Sequence, residues 1–155
     1  MNLTTIIRSL IDAQKQQNTV ATTLYTWNAD ANMQLGKLAL PAAYLQLPTK
    51  MQLDVDSVTA LEKGQFVVYY LTEQKRLQFD GVSNEAGIDA MMLAAVDLVG
   101  RIRGTHKVHI EEALTDLILV YDAGDRNLTG VKLTLKLKDL QGYCIPKYTR
   151  EGDIL

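Results

Sequence analysis

Between Val131 and Lys138 the chain alternates without a break. Val131, Leu133, Leu135 and Leu137 are aliphatic, and Lys132, Thr134, Lys136 and Lys138 between them are polar. A two-residue period belongs to an extended strand with one dry and one wet face. The polar run Asp122-Ala-Gly-Asp-Arg-Asn127 before it supplies turn formers, so a hairpin is expected here, and with it a sheet. No helix satisfies this pattern, because a helical face repeats every three to four residues.

The same reasoning carries along the rest of the chain. Leu3, Ile6, Ile7, Leu10 and Ile11 recur at helical steps and predict an amphipathic helix from residue 3 to about 16. Thr22 to Trp27 is rich in β-branched and aromatic residues and predicts a strand. Residues 28–37 carry turn formers without a clear period and read as an exposed loop. Leu38 to Pro48 holds a short strand between prolines, expected at a sheet edge because proline cannot donate to a ladder. Gln65 to Thr72, opened by Gly64, is a further strand. Asp80-Gly81 marks a turn, Ser83 suits a helix N-cap, and Glu85 favours the first turn. Ile88, Met91, Met92, Ala95, Val96, Val99 and Ile102 then trace a long helix to Gly104. Leu117 to Tyr121 is continuously apolar, as a central strand would be. The expected class is therefore α+β: a mostly antiparallel sheet of four to six strands, with an N-terminal helix and a long central helix on one face. Residues 1–144 form one domain, and 145–155 form a C-terminal arm.

Composition narrows the function classes. At 155 residues, with 47% hydrophobic and 22% charged, the chain can bury a core without disulfides or metals. A net charge of −2 gives no overall field that would attract nucleic acid or an anionic membrane. The single cysteine, Cys144, has no internal partner and suits a reducing compartment. The opening residues lack a basic leader, and no apolar run is long enough to span a bilayer.

Few residues carry chemistry. His106 and His109, followed by Glu111 and Glu112, are the nearest thing to a metal cluster. They follow the end of a helix at Gly104, and on a strand residues three apart face opposite sides, so surface histidines fit better. Asp54 and Asp56 share a face if extended, yet their neighbours are polar, which suits a solvated turn. Asp122, Asp125 and Asn127 lack the spacing and distal glutamate of a calcium loop. Cys144 has no histidine close in sequence and reads as a small, partly buried hydrophobe. Met91 and Met92 could line a pocket but sit at core spacing. Lys132, Lys136 and Lys138 read first as a solvated face guarding a sheet edge, and second as a contact for phosphate or an acidic partner. Ile145, Tyr148, Ile154 and Leu155 are apolar groups on an arm too short to fold alone, which suits docking on another subunit.

Three segments carry a resemblance: Leu40-Pro-Ala-Ala-Tyr-Leu45, Phe79-Asp-Gly-Val-Ser-Asn-Glu-Ala86 leading into Met91-Met-Leu-Ala-Ala-Val-Asp97, and Tyr121-Asp-Ala-Gly-Asp-Arg-Asn-Leu-Thr-Gly-Val131. With the order of elements they resemble the tail-terminator or tail-completion proteins of tailed bacteriophages, loosely over residues 1–144. The resemblance implies a non-enzymatic virion protein without cofactor or metal. It would assemble in the bacterial host cytoplasm and form a ring, commonly of six copies, in the virion tail. Its partners would be itself, the tail tube protein and a neck or head-completion protein, with DNA as passing cargo and no membrane. Asn32, Met33, Leu35, Ile145, Tyr148, Ile154 and Leu155 would be contact residues, and Lys132, Lys136 and Lys138 a lumen-facing charge. Other readings are a neck connector or minor tail protein, or a small α+β enzyme or ligand-binding module using Cys144 or His106 and His109.

Overall fold

The computed structural model describes residues 2–27, 31, 34–73, 84–111, 115–123, 126 and 128–148, with only the backbone of 122 and 123. Helix α1 (Asn2–Gln16) is followed by strands β1 (Thr22–Thr26), β2 (Ala42–Gln46), β3 (Met51–Val55) and β4 (Thr59–Glu73). Helix α2 (Glu85–Thr105) leads to β5 (Val108–Ile110), β6 (Asp116–Ala123), β7 (Leu128–Asp139) and β8 (Tyr143–Cys144). The class is α+β, as expected. The described residues form eight strands rather than four to six, in one mostly antiparallel sheet.

β7 lies at the centre of that sheet. It pairs with the long β4 over eleven residues on one side, and with β5 and β6 in line on the other. From β4 the sheet continues to β2 and then to β1, the one parallel pairing among the described residues. β3 and β8 pair with the early part of β4. The alternation in β7 places Val131, Leu133, Leu135 and Leu137 on the helix-covered face. There they meet Phe66, Val68 and Tyr70 of β4 and Ala43 and Leu45 of β2, in register across the ladder. Leu3, Ile7 and Ile11 of α1, and Ile88, Met91, Ala95, Leu98 and Ile102 of α2, belong to the same cluster. Both helices therefore supply one core on one side of the sheet.

Several sequence expectations need correction. The strand between the prolines is interior, not an edge: β2 has neighbours on both sides, and Ala42 to Leu45 are all buried. Pro41, joined to Leu40 by a cis peptide, and Pro48 lie just outside the paired residues, so neither removes a ladder donor. Conversely, β6 is not central. Among the described residues it pairs only with β7, and Ile118, Leu119 and Tyr121 are exposed. Gly64 does not open β4 but sits inside it, where an added Cβ would fall 2.5 Å from the Met51 sulfur. Val96, placed on the core stripe of α2 by its spacing, is exposed, and Ala94 and Leu98 are buried instead.

Of residues 28–37, only 31 and 34–37 are described, and Ala31 and Leu35 do not belong to the exposed loop that turn formers suggested. Ala31, Gln34 and Leu35 are helical, and Ala31 and Leu35 are buried. One turn apart, they pack with Ala42, Tyr44, Leu71 and Leu128 in a second cluster on the far side of the sheet. The turn at Asp80-Gly81, the N-cap Ser83, and the side chains of Glu112, Asp122, Asp125 and Asn127 lie outside the described residues. So do Asn32, Met33, Ile154 and Leu155. No described helix is long and apolar enough to cross a membrane.

Candidate functional site

The sheet face opposite the helices is where polar side chains gather. β4 supplies Lys63, Gln65, Val67 and Tyr69, and β7 supplies Lys138, Lys136, Thr134 and Lys132 in matching register. The second cluster covers one end of this face. At the other end Gln65 and Lys136 are exposed and form part of a cleft of about 430 Å³. Its floor is β4 and β7. One wall is the chain from Gln46 through Pro48 to Gln52, and the other is Glu111, just past β5. The proline-bounded connection after β2 builds the first wall by leading the chain up from the sheet before β3 returns.

The lysines of this face are engaged to different degrees. Lys63 Nζ lies 3.2 Å from Glu111 Oε1 across the cleft. Lys138 Nζ donates to Asp54 Oδ2 at 2.9 Å, and that bond, with the charges of Lys138 and Lys63, holds the Asp54 carboxyl below its ordinary range. Lys132 Nζ sits 5.8 Å from the centre of the Tyr69 ring, which stacks on Tyr44 at 5.3 Å. Burial, and then the neighbouring Tyr69, push the Tyr44 hydroxyl up to about 12. Because β7 is central, its lysines do not guard an edge. They tile an open face on which Lys50, from the first wall, adds another cation.

The remaining candidates are not brought together. His106 caps α2 in the left-handed region at φ 56°, and His109 is exposed on β5 opposite Lys138. Cys144 is exposed on β8 opposite Thr59, which corrects its reading as partly buried. His109 lies across β7 from Lys63 of β4, whereas Cys144 lies beside Thr59, four residues further along that side of β4, a gap on the order of 14 Å. That is far beyond the hydrogen-bond reach a thiol–imidazole pair needs. Among the described residues no three His, Cys, Asp or Glu side chains cluster as metal ligands would. Asp54 and Asp56 diverge in use. Asp56 folds back on the β3–β4 turn, accepting bonds from the backbone N–H groups of Val58 (2.7 Å) and Thr59 (2.6 Å) and from Thr59 Oγ1 (2.9 Å). Met91 is core, and Met92 is half-buried against it.

Of the expected contact residues, Leu35 is turned into the second cluster and Tyr148 is exposed. Ile145 is tied back, its N–H donating to Val58 O at 2.8 Å, so the supposed arm begins against the β3–β4 hairpin. Sequence reasoning missed two surfaces. One is the cleft, whose walls come from separate loops. The other is the apolar edge of β6, for which the signal was present but read as burial. The fold and site define a class: an α+β protein with a helix-covered face, a polar face holding a cleft, and an apolar free edge. The chain matches no known protein-family profile and no curated protein.

Proposed function

We propose that this chain is a non-enzymatic structural protein of a phage-like tail, a terminator-like ring subunit that caps the tail tube and joins it to the neck or head-completion proteins. The observation that carries the reading is the edge strand β6. Ile118, Leu119 and Tyr121 expose 53%, 45% and 51% of their surface there, from both faces of one strand. Folded monomers blunt such edges with lysine, proline or a covering segment. Lys132, Lys136 and Lys138 instead lie on the central strand β7. An edge of this kind suits a neighbouring copy, and head-to-tail contacts close into a ring when their rotation closes. The resemblance over residues 40–45, 79–97 and 121–131 supports the tail assignment. On this reading the partners are further copies, the tube protein and a neck protein, with DNA passing through in the assembled virion tail.

The test is absolute mass by light scattering over a concentration series, followed by negative-stain imaging. A fixed multiple of the 17.3 kDa chain, reached as concentration rises and seen as closed particles, is the expected result. A strict monomer that also fails to bind purified tail tubes would defeat the reading.

A further inference from the structure

We propose that the open edge of β1, with the groove between it and α1, receives β6 of a second copy as an added antiparallel strand, which rests on the ring reading and assigns the surface that β6 meets. Among the described residues β1 pairs only with β2, and β6 only with β7, so each offers one free edge of the same sheet. The Thr22 N–H donates to Pro41 O, and Thr26 O accepts from the Leu47 N–H. The even-numbered residues of β1 therefore turn their backbone groups toward β2, and Thr23 and Tyr25 present theirs outward. On β7, Lys136 O accepts from the Glu111 N–H, so its even-numbered residues turn toward β5 and β6. Ile118 opposite Lys132 and Val120 opposite Gly130 are then the inward residues of β6. Leu117 and Leu119 present their backbone groups outward.

The two edges fit in direction and in chemistry. β1 is parallel to β2, and each further step through β4 and β7 to β6 is antiparallel, so β6 runs opposite to β1. A copy added head to tail in the same orientation thus meets β1 with an antiparallel strand. The bulge after Val120 leaves Leu117 to Val120 for pairing. The register that keeps all four within β1 sets Leu117 against Tyr25, Ile118 against Leu24, Leu119 against Thr23 and Val120 against Thr22. Leu117 and Leu119 then lie on the α1 side, because their β7 partners, Leu133 and Val131, face the helices. There a groove of about 200 Å³, lined by Arg8, Ile11, Asp12, Tyr25 and Leu45, borders β1. Its two charges are of opposite sign. Ile118, 53% exposed, falls on the other face beside Leu24. Neither Thr22 to Thr26 nor Leu117 to Tyr121 carries a charge, so pairing the strands desolvates none of their own. β3, the other long strand with an open edge among the described residues, carries Asp54, which is engaged by Lys138. Stable pairwise contacts take about 20–30 residues a side. Four residues of β6 on one edge and groove fall short of that, so a lone pair is weak. Ring closure, which gives every copy two such joints, holds the assembly.

Disulfide trapping in the full chain tests this, with Cys144→Ser removing the native thiol. Leu24→Cys/Ile118→Cys puts both halves of the joint on every copy. Within one copy these positions lie four strand spacings apart, roughly 19 Å, too far for an internal disulfide. Across the joint they form a non-hydrogen-bonded pair with Cα atoms about 4.5 Å apart, within disulfide range. Mild oxidation should give a ladder of covalent multimers on a non-reducing gel, ending at one closed size. Chains carrying Leu24→Cys or Ile118→Cys alone should stay unlinked apart and give only a covalent dimer when mixed. Thr23→Cys/Leu119→Cys reads the adjacent pair if the Leu24 variant fails to fold. Self-linking of the Ile118→Cys chain overturns the proposal, because it shows β6 pairing with β6. A ladder from Leu53→Cys/Ile118→Cys in place of the β1 ladder overturns it as well, moving β6 to β3. No ladder from either β1 pair in a chain that still assembles removes the β1 joint and leaves the ring. A native chain that stays monomeric and fails to bind tail tubes removes both.

Discussion

Gln14 is fully buried, and its amide is nonetheless saturated. Its Nε2 donates to Ala94 O at 2.9 Å and to Asp97 Oδ2 at 3.0 Å, and its Oε1 accepts from the Tyr70 hydroxyl at 2.6 Å. One side chain therefore joins α1, α2 and β4 at the point where the two helices meet the sheet. Burial drives the Tyr70 hydroxyl well above its ordinary pKa, so it acts as a neutral donor throughout the physiological range. Gln14→Leu keeps the volume but orphans the Tyr70 hydroxyl, while the Ala94 carbonyl loses its second donor and keeps its bond within α2. It should cost about 2 kcal/mol in urea unfolding, while Gln14→Leu/Tyr70→Phe should recover part of that loss. Gly130 sets a second constraint. A Cβ there would lie 1.9 Å from Tyr70 O, and φ is 156°. The obstacle is backbone in the central β4–β7 ladder, which cannot swing aside as a side chain would. Gly130→Ala should destabilise by about 3 kcal/mol or more, seen as a large fall in melting temperature. An unchanged melting temperature would mean the ladder opens freely at this pair.

Strands and helices were legible in the sequence where one face was dry and the other wet. β7 and α1 meet that condition, and Val131 to Leu137 and Leu3 to Ile11 are buried as their periods require. Legibility failed where an element serves two environments. β6 is apolar on both faces although only its inner ladder is filled, so Leu117 to Tyr121 looked central. The helical turn at Ala31 and Leu35 shows too few apolar positions to reveal a period, and its burial depends on Tyr44 and Leu71 from distant strands. The cleft was not legible at all, because Lys50, Lys63, Glu111 and Lys136 are united only by register. Carboxylates stabilise two of these elements in a pH-dependent way. At Asp97 burial pushes the carboxyl up, but hydrogen bonds from Arg101 and Gln14 and the Arg101 charge outweigh it, and the result lies below the ordinary range. Asp56 is held low by the Thr59 and Val58 backbone N–H groups, and Asp54 by Lys138. Folded values below the unfolded value of about 3.9 mean this stability is fully present above that pH and is lost as pH falls through the folded values. Stability should thus be level from pH 7 to about 5 and decline steadily below about 4. Asp56→Asn and Asp97→Asn should each flatten that decline. In hydrogen exchange at neutral pH, Asp56→Ala should expose the amides of Val58 and Thr59 while leaving β7 protected. A uniform loss of protection would show that the hairpin and the central ladder open together.

At the scale of the molecule, three exposed apolar surfaces of the described residues compete for the role of subunit contact: the free edge of β6, Leu53 and Val55 of β3 with Val58, and Leu93 with Val96 on the outer face of α2; the charge substitutions below set the first against the last. They differ in what they can offer a neighbour. The helix face presents two side chains 70% and 66% exposed, with its backbone hydrogen bonds already closed within the helix. The β6 edge presents Ile118, Leu119 and Tyr121 together with a row of outward N–H and C=O groups that a second strand can pair. The bulge between Val120 and Ala123, where Thr129 Oγ1 donates to Val120 O at 2.8 Å, limits that row to the first half of the strand. Pairing should therefore centre on Leu117 to Val120. Ile118→Lys/Leu119→Lys places two charges on this stretch. Because both side chains are about half exposed, the monomer should keep its stability to within about 0.5 kcal/mol each. The same charges would be desolvated in an edge-to-edge contact, so the concentration-dependent mass increase should vanish. Leu93→Lys/Val96→Lys should leave the mass series unchanged. The reverse pattern, with the α2 variant monomeric and the β6 variant still assembling, would move the contact to the helical face and leave the free edge for a different partner, the tube or the neck.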